Sequence, residues 1–160
     1  MPWSSFNRKG AAMGLDETIS ANFKAALLNR LPERMPFWKL LGIEFMDVGK
    51  GWARMRLQFA EKLTSSLGIG HGGALFALAD SAGSMALVTL MEKGEMVTTI
   101  EMKINYIKPF TGGFAVAEAT ILHCGKKTAL GDVEIRDGKG ILLAKGSGTF
   151  LRRPAATPAA

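Results

Sequence analysis

The feature that most constrains this chain is the stretch from Gly73 to Met91, which is apolar on nearly every side except at Asp80. A helix without a polar face is buried either in a bilayer or in a protein core. A bilayer is excluded because Asp80 divides the stretch into apolar runs far shorter than the roughly 20 residues that a membrane span needs. The stretch therefore predicts one long helix buried in a protein core, and no membrane partner.

The segments on both sides of this helix alternate between apolar and polar residues, which is the period of half-buried strands. A hairpin is predicted over 43–59 with its turn at 49–51, and the alternation returns at 96–107, 114–122, 128–136 and 141–150. Within 96–107 the pattern places Thr99 opposite a face made of Ile100, Met102, Ile104 and Tyr106. We expect an α+β fold in which five or six antiparallel strands, in meander order, form a curved sheet around the helix.

A chain of 160 residues and 17.1 kDa, 48% of them hydrophobic, is long enough for one domain with its own core. Residues 15–30 carry apolar side chains at helical spacing, and Pro32 and Pro36 then interrupt the chain. We therefore expect an N-terminal helical lead-in over 1–36, a single domain over 37–153 and a flexible tail over 154–160.

The net charge of +6 and the isoelectric point near 9.7 suggest a polyanionic partner. Lysines and arginines occur singly or in pairs, without the basic runs and interleaved aromatic residues of a nucleic-acid surface, so no nucleic acid is expected. Cys124 has no second cysteine to pair with, and with two histidines it makes a poor set of zinc ligands, so no metal is expected. The N-terminus lacks the apolar stretch of a signal peptide, which predicts a cytoplasmic protein.

Asp80 is the most informative single position. A carboxylate in the middle of an apolar helix costs several kcal/mol to bury unless it is paired or hydrated, and no Arg or Lys lies within one helical turn of it. Residues in such surroundings are often functional. The alternative is that Asp80 accepts hydrogen bonds from the hydroxyls of Ser81, Ser84 or Thr99 and only packs in the core.

The glycine-rich segment 68–73 directly precedes this helix. Unpaired backbone N–H groups and the positive end of the helix dipole meet at a helix start, and glycine lets a ligand approach the backbone closely. The segment could therefore stabilise an oxyanion, with His71 beside it. The alternatives are that the glycines form only a turn and that His71 is a structural hydrogen-bonding residue.

The run His71-Gly-Gly-Ala-Leu-Phe-Ala-Leu-Ala-Asp-Ser-Ala82 closely resembles the HGG-to-LAD signature of the PaaI-like (phenylacetate-pathway) branch of hotdog-fold thioesterases. Three further segments resemble that family in the same order, at 99–109, 125–128 and 146–150. The resemblance covers about residues 37–151. It implies a hotdog fold, in which a curved sheet wraps one long helix, and an acyl-CoA thioesterase whose coenzyme A belongs to the substrate, with no further cofactor.

The resemblance also implies roles for individual residues. The Gly72 N–H would polarise the thioester carbonyl, Asp80 would act as nucleophile or general base, and His71 would orient the loop and the substrate. Thr99 would position the attacking water or the carboxylate, and Ser65 stands where relatives often carry an asparagine. Further substrate contacts are expected from the glycine-rich loop and from the basic segment near residue 126, where coenzyme A phosphates could bind, namely Gly73, Ser66, Lys126, Lys127, Thr128 and Arg152. The alternative is that the basic residues are solvated surface side chains.

The spacing of Gly72 and Asp80 predicts an oligomer. Eight residues along a helix correspond to about 12 Å, so one carbonyl cannot lie within about 3 Å of both groups in the same chain. If both act on one thioester, they belong to two subunits whose central helices run antiparallel across a twofold axis. We expect an obligate homodimer, and the family resemblance suggests that dimers pair into a homotetramer.

Two other functions stay open at this point. A hotdog hydratase or dehydratase would use His71 and Asp80 for proton transfer at neighbouring acyl carbons. A non-catalytic acyl-CoA-binding module would have no use for a carboxylate at position 80. The acyl group is also open, since aryl-acetyl and medium or long straight chains fit the sequence equally.

Overall fold

The computed structural model describes residues 19–153. Its α-helices are α1 (Ala21–Asn29), α2 (Pro36–Leu41) and α3 (Gly72–Val88), with short 3-10 turns at Pro32–Arg34 and Glu61–Leu63. The strands are β1 (Ile43–Gly49), β2 (Trp52–Gln58), β3 (Met96–Tyr106), β4 (Phe114–Cys124), β5 (Thr128–Asp137) and β6 (Leu142–Arg153). The predicted hairpin, central helix and later strands are all present, with ends that differ by at most three residues.

The α3 helix lies at the centre of the fold and packs against the curved sheet. Ten of its residues are buried, and several of these are small: Ala74, Ala79, Ala82, Gly83 and Ala86. Small side chains let the sheet approach the helix axis closely. At Gly83 an added Cβ would lie 2.6 Å from the Cζ of Phe150 on β6, so the contact leaves no room for a methyl group. A sheet wrapped around one buried helix is the hotdog fold that the sequence predicted.

The six strands form one antiparallel sheet in the order β1-β2-β4-β5-β6-β3. The expected meander order is wrong for β3, which pairs with β6 at the far edge of the sheet. The reason is that α3 lies between β2 and β3 in the chain and crosses the sheet, which leaves the edge of β2 to pair with β4. As a result, among residues 19–153, β3 has a sheet partner on one side only.

The side-chain alternation predicted for β3 is also wrong in its first half. The register shifts between Thr99 and Glu101, so Ile100 is an extra residue in a β-bulge. Ile100 is 55% exposed, whereas Thr99 faces the helix together with Met102 and Ile104. A strict period of two cannot anticipate a bulge, which depends on the pairing with β6.

The N-terminal part of the described chain packs on the same core. Leu27 of α1 is buried, and the indole Nε1 of the buried Trp38 donates to Ser81 Oγ at 3.0 Å, which joins α2 to α3. The predicted lead-in helix is confirmed over Ala21–Asn29, while 15–18 and the predicted tail over 154–160 lie outside the described residues. The division at residue 36 stays a prediction. Across 19–153, none of the helices has the length and apolar character to cross a bilayer.

Candidate active site

Asp80 lies in the middle of α3 and is half-buried. The hydroxyl of Thr99, on β3, donates a hydrogen bond of 2.6 Å to its Oδ1. Its Oδ2 has no hydrogen-bond partner, and the carboxylate has no ion pair, within residues 19–153. The carboxylate is therefore held at one oxygen and open at the other.

The hydroxyls considered for Asp80 have different partners in the structure. The bond from Thr99 was expected both from the family resemblance and from a purely structural role, and it is confirmed. The hydroxyl oxygen of Ser81 instead accepts from Trp38, and no bond joins Ser84 to the carboxylate. The second carboxylate oxygen accepts no bond from residues 19–153, so it is available to water or to a ligand.

The hydrogen bonds at the start of α3 leave the Gly72 amide unpaired within residues 19–153. His71 is the N-cap residue: its Nδ1 accepts from the Gly73 N–H at 2.9 Å, and its carbonyl accepts from the Ala74 N–H at 2.9 Å. The Gly72 N–H has no acceptor in the part of the chain that the structure describes. It lies at the positive end of the helix dipole, where an oxyanion is stabilised.

The loop that leads into α3 is tied to the rest of the protein. The His71 N–H donates to the Leu63 carbonyl and the Gly70 N–H donates to the Phe110 carbonyl, each at 2.7 Å. An added Cβ at Gly70 would lie 2.6 Å from the Phe110 ring, so glycine is required there. Ser65 Oγ accepts from the Leu67 N–H at 3.3 Å within this loop, and Ser66 is exposed. The role of either serine toward a substrate stays a prediction.

The His71 ring is not available as a base at this helix start, because its Nδ1 already accepts a hydrogen bond. With Nδ1 accepting a hydrogen bond, the proton of the neutral ring is on Nε2. The ring is exposed, and its Nε2 has no partner among residues 19–153. His71 therefore orients the loop through Nδ1, and Nε2 can donate to a ligand but cannot abstract a proton. This arrangement does not favour the hydratase alternative.

The expected coenzyme A contacts lie around the turn between β4 and β5. Lys126 and Lys127 are exposed and have no ion pair within 19–153. Thr128 pairs with Leu151 and Leu151 pairs with Thr98, so these three residues form one row across the sheet. Since neighbouring strands lie about 4.8 Å apart, Thr128 is about 10 Å from Thr98. Thr98 directly precedes Thr99, whose hydroxyl binds Asp80.

Arg152 supports this turn rather than presenting a free charge. Its guanidinium donates to the Gly125 carbonyl at 3.1 Å and to Glu95 Oε2 at 2.7 Å, and its N–H donates to the Lys127 carbonyl at 2.7 Å. The hydrogen bond between the two side chains lowers the pKa of Glu95 and raises the pKa of Arg152. Because Glu95 neutralises Arg152, the two lysines are the available cations here.

The structure also identifies a residue that the sequence reasoning assigned only to a strand face. The hydroxyl of Tyr106, at the end of β3, donates to the Gly72 carbonyl at 2.8 Å. Its position on the strand predicted an inward side chain, but nothing in the local pattern indicated a contact with α3.

Within 19–153, no three His, Cys, Asp or Glu side chains lie together in a group that could hold a metal. The expectation that no cofactor is needed stays a prediction.

The two candidate groups of the site lie on one unbroken helix. Gly72 is the first residue of α3 and Asp80 is the ninth, so about 12 Å separates them along the axis. Thr99 and Asp80 form one half-site, and His71, Gly72 and Tyr106 form the other. A hotdog fold with a carboxylate on its helix and an unpaired amide at the helix start has the groups that hydrolysis of a thioester needs.

Comparisons with known proteins give the same class. The Thioesterase superfamily model matches residues 67–144. A Saccharolobus solfataricus protein whose name proposes an esterase is 38% identical over 124 residues, covering 78% of this chain and 82% of that protein. The 1,4-dihydroxy-2-naphthoyl-CoA hydrolase of Listeria monocytogenes is 32% identical over 103 residues, covering 64% of this chain and 84% of the hydrolase.

Among solved structures, the E. coli PaaI protein from the phenylacetic acid degradation operon matches with a TM-score of 0.77 and 26% identity, covering 86% of this chain and 99% of PaaI. This chain belongs to the Thioesterase superfamily and is a thioester hydrolase. The predicted resemblance to PaaI-like hotdog thioesterases is confirmed.

Proposed function

We propose that this enzyme hydrolyses the thioester of an acyl-CoA to a free acid and coenzyme A, with Asp80 as its catalytic carboxylate. The observation that carries the proposal is the hydrogen bond from Thr99 to Asp80 Oδ1. It holds the carboxylate in one orientation and leaves Oδ2 open to a water molecule or to the thioester carbon.

Two routes lead to the same products. As a general base, Asp80 takes a proton from water while the water oxygen attacks the thioester carbon, and the coenzyme A thiolate leaves and is protonated. As a nucleophile, Asp80 displaces the thiolate and forms an acyl anhydride that water then hydrolyses. In both routes the carbonyl oxygen becomes negative, and the unpaired Gly72 N–H is the donor that stabilises it.

The site in this proposal is shared between two subunits. The roughly 12 Å between Gly72 and Asp80 requires a second chain if both groups act on one thioester. The outer edge of β3 supports such pairing, because no strand of the described chain pairs with it and it carries the exposed apolar side chains of Met96 and Ile100. The homodimer, with antiparallel central helices, and its pairing into a tetramer belong to the proposal.

The nucleotide end of coenzyme A is assigned to the turn between β4 and β5. Lys126 and Lys127 are exposed cations without ion pairs in the described chain, and coenzyme A phosphates are their natural partners. Thr128 adds a hydroxyl, and Arg152 holds the turn in shape through Gly125 and the Lys127 carbonyl.

For the acyl group, the proposal favours an aromatic acid. The Listeria relative is named for an aromatic acyl-CoA, and PaaI comes from an operon for phenylacetic acid degradation. Medium and long straight chains form the comparison set. A cytoplasmic location is part of the proposal, because acyl-CoA is an intracellular substrate and the chain has only one cysteine.

The test is release of free thiol from a panel of phenylacetyl-, benzoyl-, hexanoyl- and palmitoyl-CoA by wild type and by Asp80→Asn. The amide can still accept the hydrogen bond from Thr99, so the fold is retained while the base or nucleophile is lost. We expect hydrolysis to fall by about a hundredfold or more, with the oligomeric state unchanged.

Asp132→Asn serves as the matched control, because it removes a half-buried carboxylate from β5 instead of from α3. We expect it to retain wild-type activity. Equal activity of Asp80→Asn and wild type would refute the catalytic role of Asp80. Failure of the wild type to cleave any acyl-CoA, while it cleaves thioesters of N-acetylcysteamine, would refute coenzyme A as the carrier.

A further inference from the structure

The peptide group between Gly72 and Gly73 is held at both of its polar atoms. Its N–H, which belongs to Gly73, donates to His71 Nδ1 at 2.9 Å, and its carbonyl, which belongs to Gly72, accepts from the Tyr106 hydroxyl at 2.8 Å. The preceding peptide has its carbonyl bound to the Ala74 N–H, and only its N–H, that of Gly72, is unpaired. The unpaired Gly72 amide therefore adjoins a peptide plane that cannot rotate freely.

The Tyr106 ring also packs against Gly72. An added Cβ at Gly72 would lie 2.9 Å from the ring Cζ and 3.1 Å from the hydroxyl oxygen. Partial burial raises the pKa of Tyr106 above its ordinary value, so the hydroxyl stays protonated and able to donate across the physiological range. Glycine at position 72 and tyrosine at position 106 fit each other sterically.

The bulge in β3 makes this contact possible. Thr99 and Tyr106 are seven residues apart, and on a regular strand an odd spacing points two side chains to opposite faces. The extra residue Ile100 reverses the alternation, so both side chains reach α3. One strand thus contacts the helix at Asp80 and again at Gly72.

We infer that Tyr106 is a positioning residue for thioester hydrolysis, which aims the Gly72 N–H at the carbonyl oxygen by holding the Gly72–Gly73 peptide. The inference rests on the proposed function, because it assigns the Gly72 amide to the oxyanion. Tyr106 acts through Gly72 and takes no part in proton transfer. The hydrogen bond of its hydroxyl contributes most to stability in the transition state, when negative charge develops on the carbonyl oxygen.

The kinetic test is Tyr106→Phe, which removes the hydroxyl and keeps the ring. We expect kcat to fall about tenfold to a hundredfold with KM changed less than about twofold. The matched control is Thr149→Val, which removes a hydroxyl that donates to Glu101 Oε1 at 2.7 Å on a neighbouring strand, and it should leave kcat unchanged. If Tyr106 acts through the amide, its effect vanishes when Gly72 is already proline, which has no N–H.

A second test uses the protein without substrate, so its failure is separate from failure of the proposed function. We expect Tyr106→Phe to lower the 15N order parameters of the Gly72 or Gly73 amides from the rigid value of about 0.85, while Thr149→Val leaves them unchanged. Unchanged order parameters would overturn the inference even if acyl-CoA hydrolysis is established. Wild-type kcat in Tyr106→Phe, or an undiminished effect in the Gly72→Pro background, would overturn it as well.

Discussion

Gly72→Pro removes the proposed oxyanion donor at a position where the backbone accepts proline. Gly72 is the first residue of α3, a position where proline is well tolerated because its fixed φ suits the helix. His71 before it has φ −65° and ψ 135°, which is the extended conformation that a residue preceding proline prefers. The deleted N–H has no acceptor within the described residues, so no hydrogen bond of the free protein is lost.

The expected loss can be worked out from this geometry. Removing one oxyanion donor costs about a hundredfold to a thousandfold in kcat, or about 2.7–4 kcal/mol. The proline also adds a Cβ that meets the Tyr106 ring at 2.9 Å. Gly72→Ala adds the same Cβ and keeps the N–H, which makes it the matched control. We expect the alanine variant to lose about tenfold, because its Cβ displaces the half-exposed Tyr106 ring and weakens the hydrogen bond to the Gly72 carbonyl.

The assay is thiol release from the acyl-CoA that wild type cleaves fastest in the panel, with thermal melting to show that both variants are folded. The difference in kcat between proline and alanine reports the replacement of the N–H by the proline ring, because crowding of Tyr106 by the Cβ is common to both. If the two folded variants have equal kcat within about twofold, Gly72 is not the donor and the reasoning from its unpaired amide is refuted.

Three further predictions concern the interface, the coenzyme A site and the core. Mixing equal amounts of Asp80→Asn and Gly72→Pro subunits should restore about a quarter of wild-type activity, since half of the dimers are mixed and each has one intact site; no recovery after subunit exchange would contradict a shared site. Replacing the lysines of 126–127 with alanine should raise KM for the CoA ester about tenfold and leave the N-acetylcysteamine ester unaffected, and equal changes for both esters would argue against phosphate binding. Gly83→Ala should lower the free energy of unfolding in urea by about 1–3 kcal/mol, because its Cβ would lie 2.6 Å from the Phe150 ring; unchanged stability would show that the ring moves aside freely.

Much of the site could be predicted from the sequence. Asp80 stands out because a carboxylate in an apolar helix is costly, and the glycines before it indicate a helix start with unpaired amides. These signals are local and need no knowledge of distant contacts. The contacts of Tyr106 and Arg152 could not be predicted in the same way, since each joins residues more than twenty positions apart.

By itself, the sequence determined the helices and strands and pointed to Asp80, His71, Gly72 and Thr99, because side-chain periodicity and motif spacing act over a few residues along the chain, and the resemblance of its motifs added the hotdog class. Only the tertiary structure decided that β3 lies beside β6, that the bulge at Ile100 turns Thr99 toward Asp80, and that the Gly72 amide stays unpaired. Each of these depends on pairing between segments distant in the sequence, where the energy of a whole sheet edge outweighs the preference of any single residue.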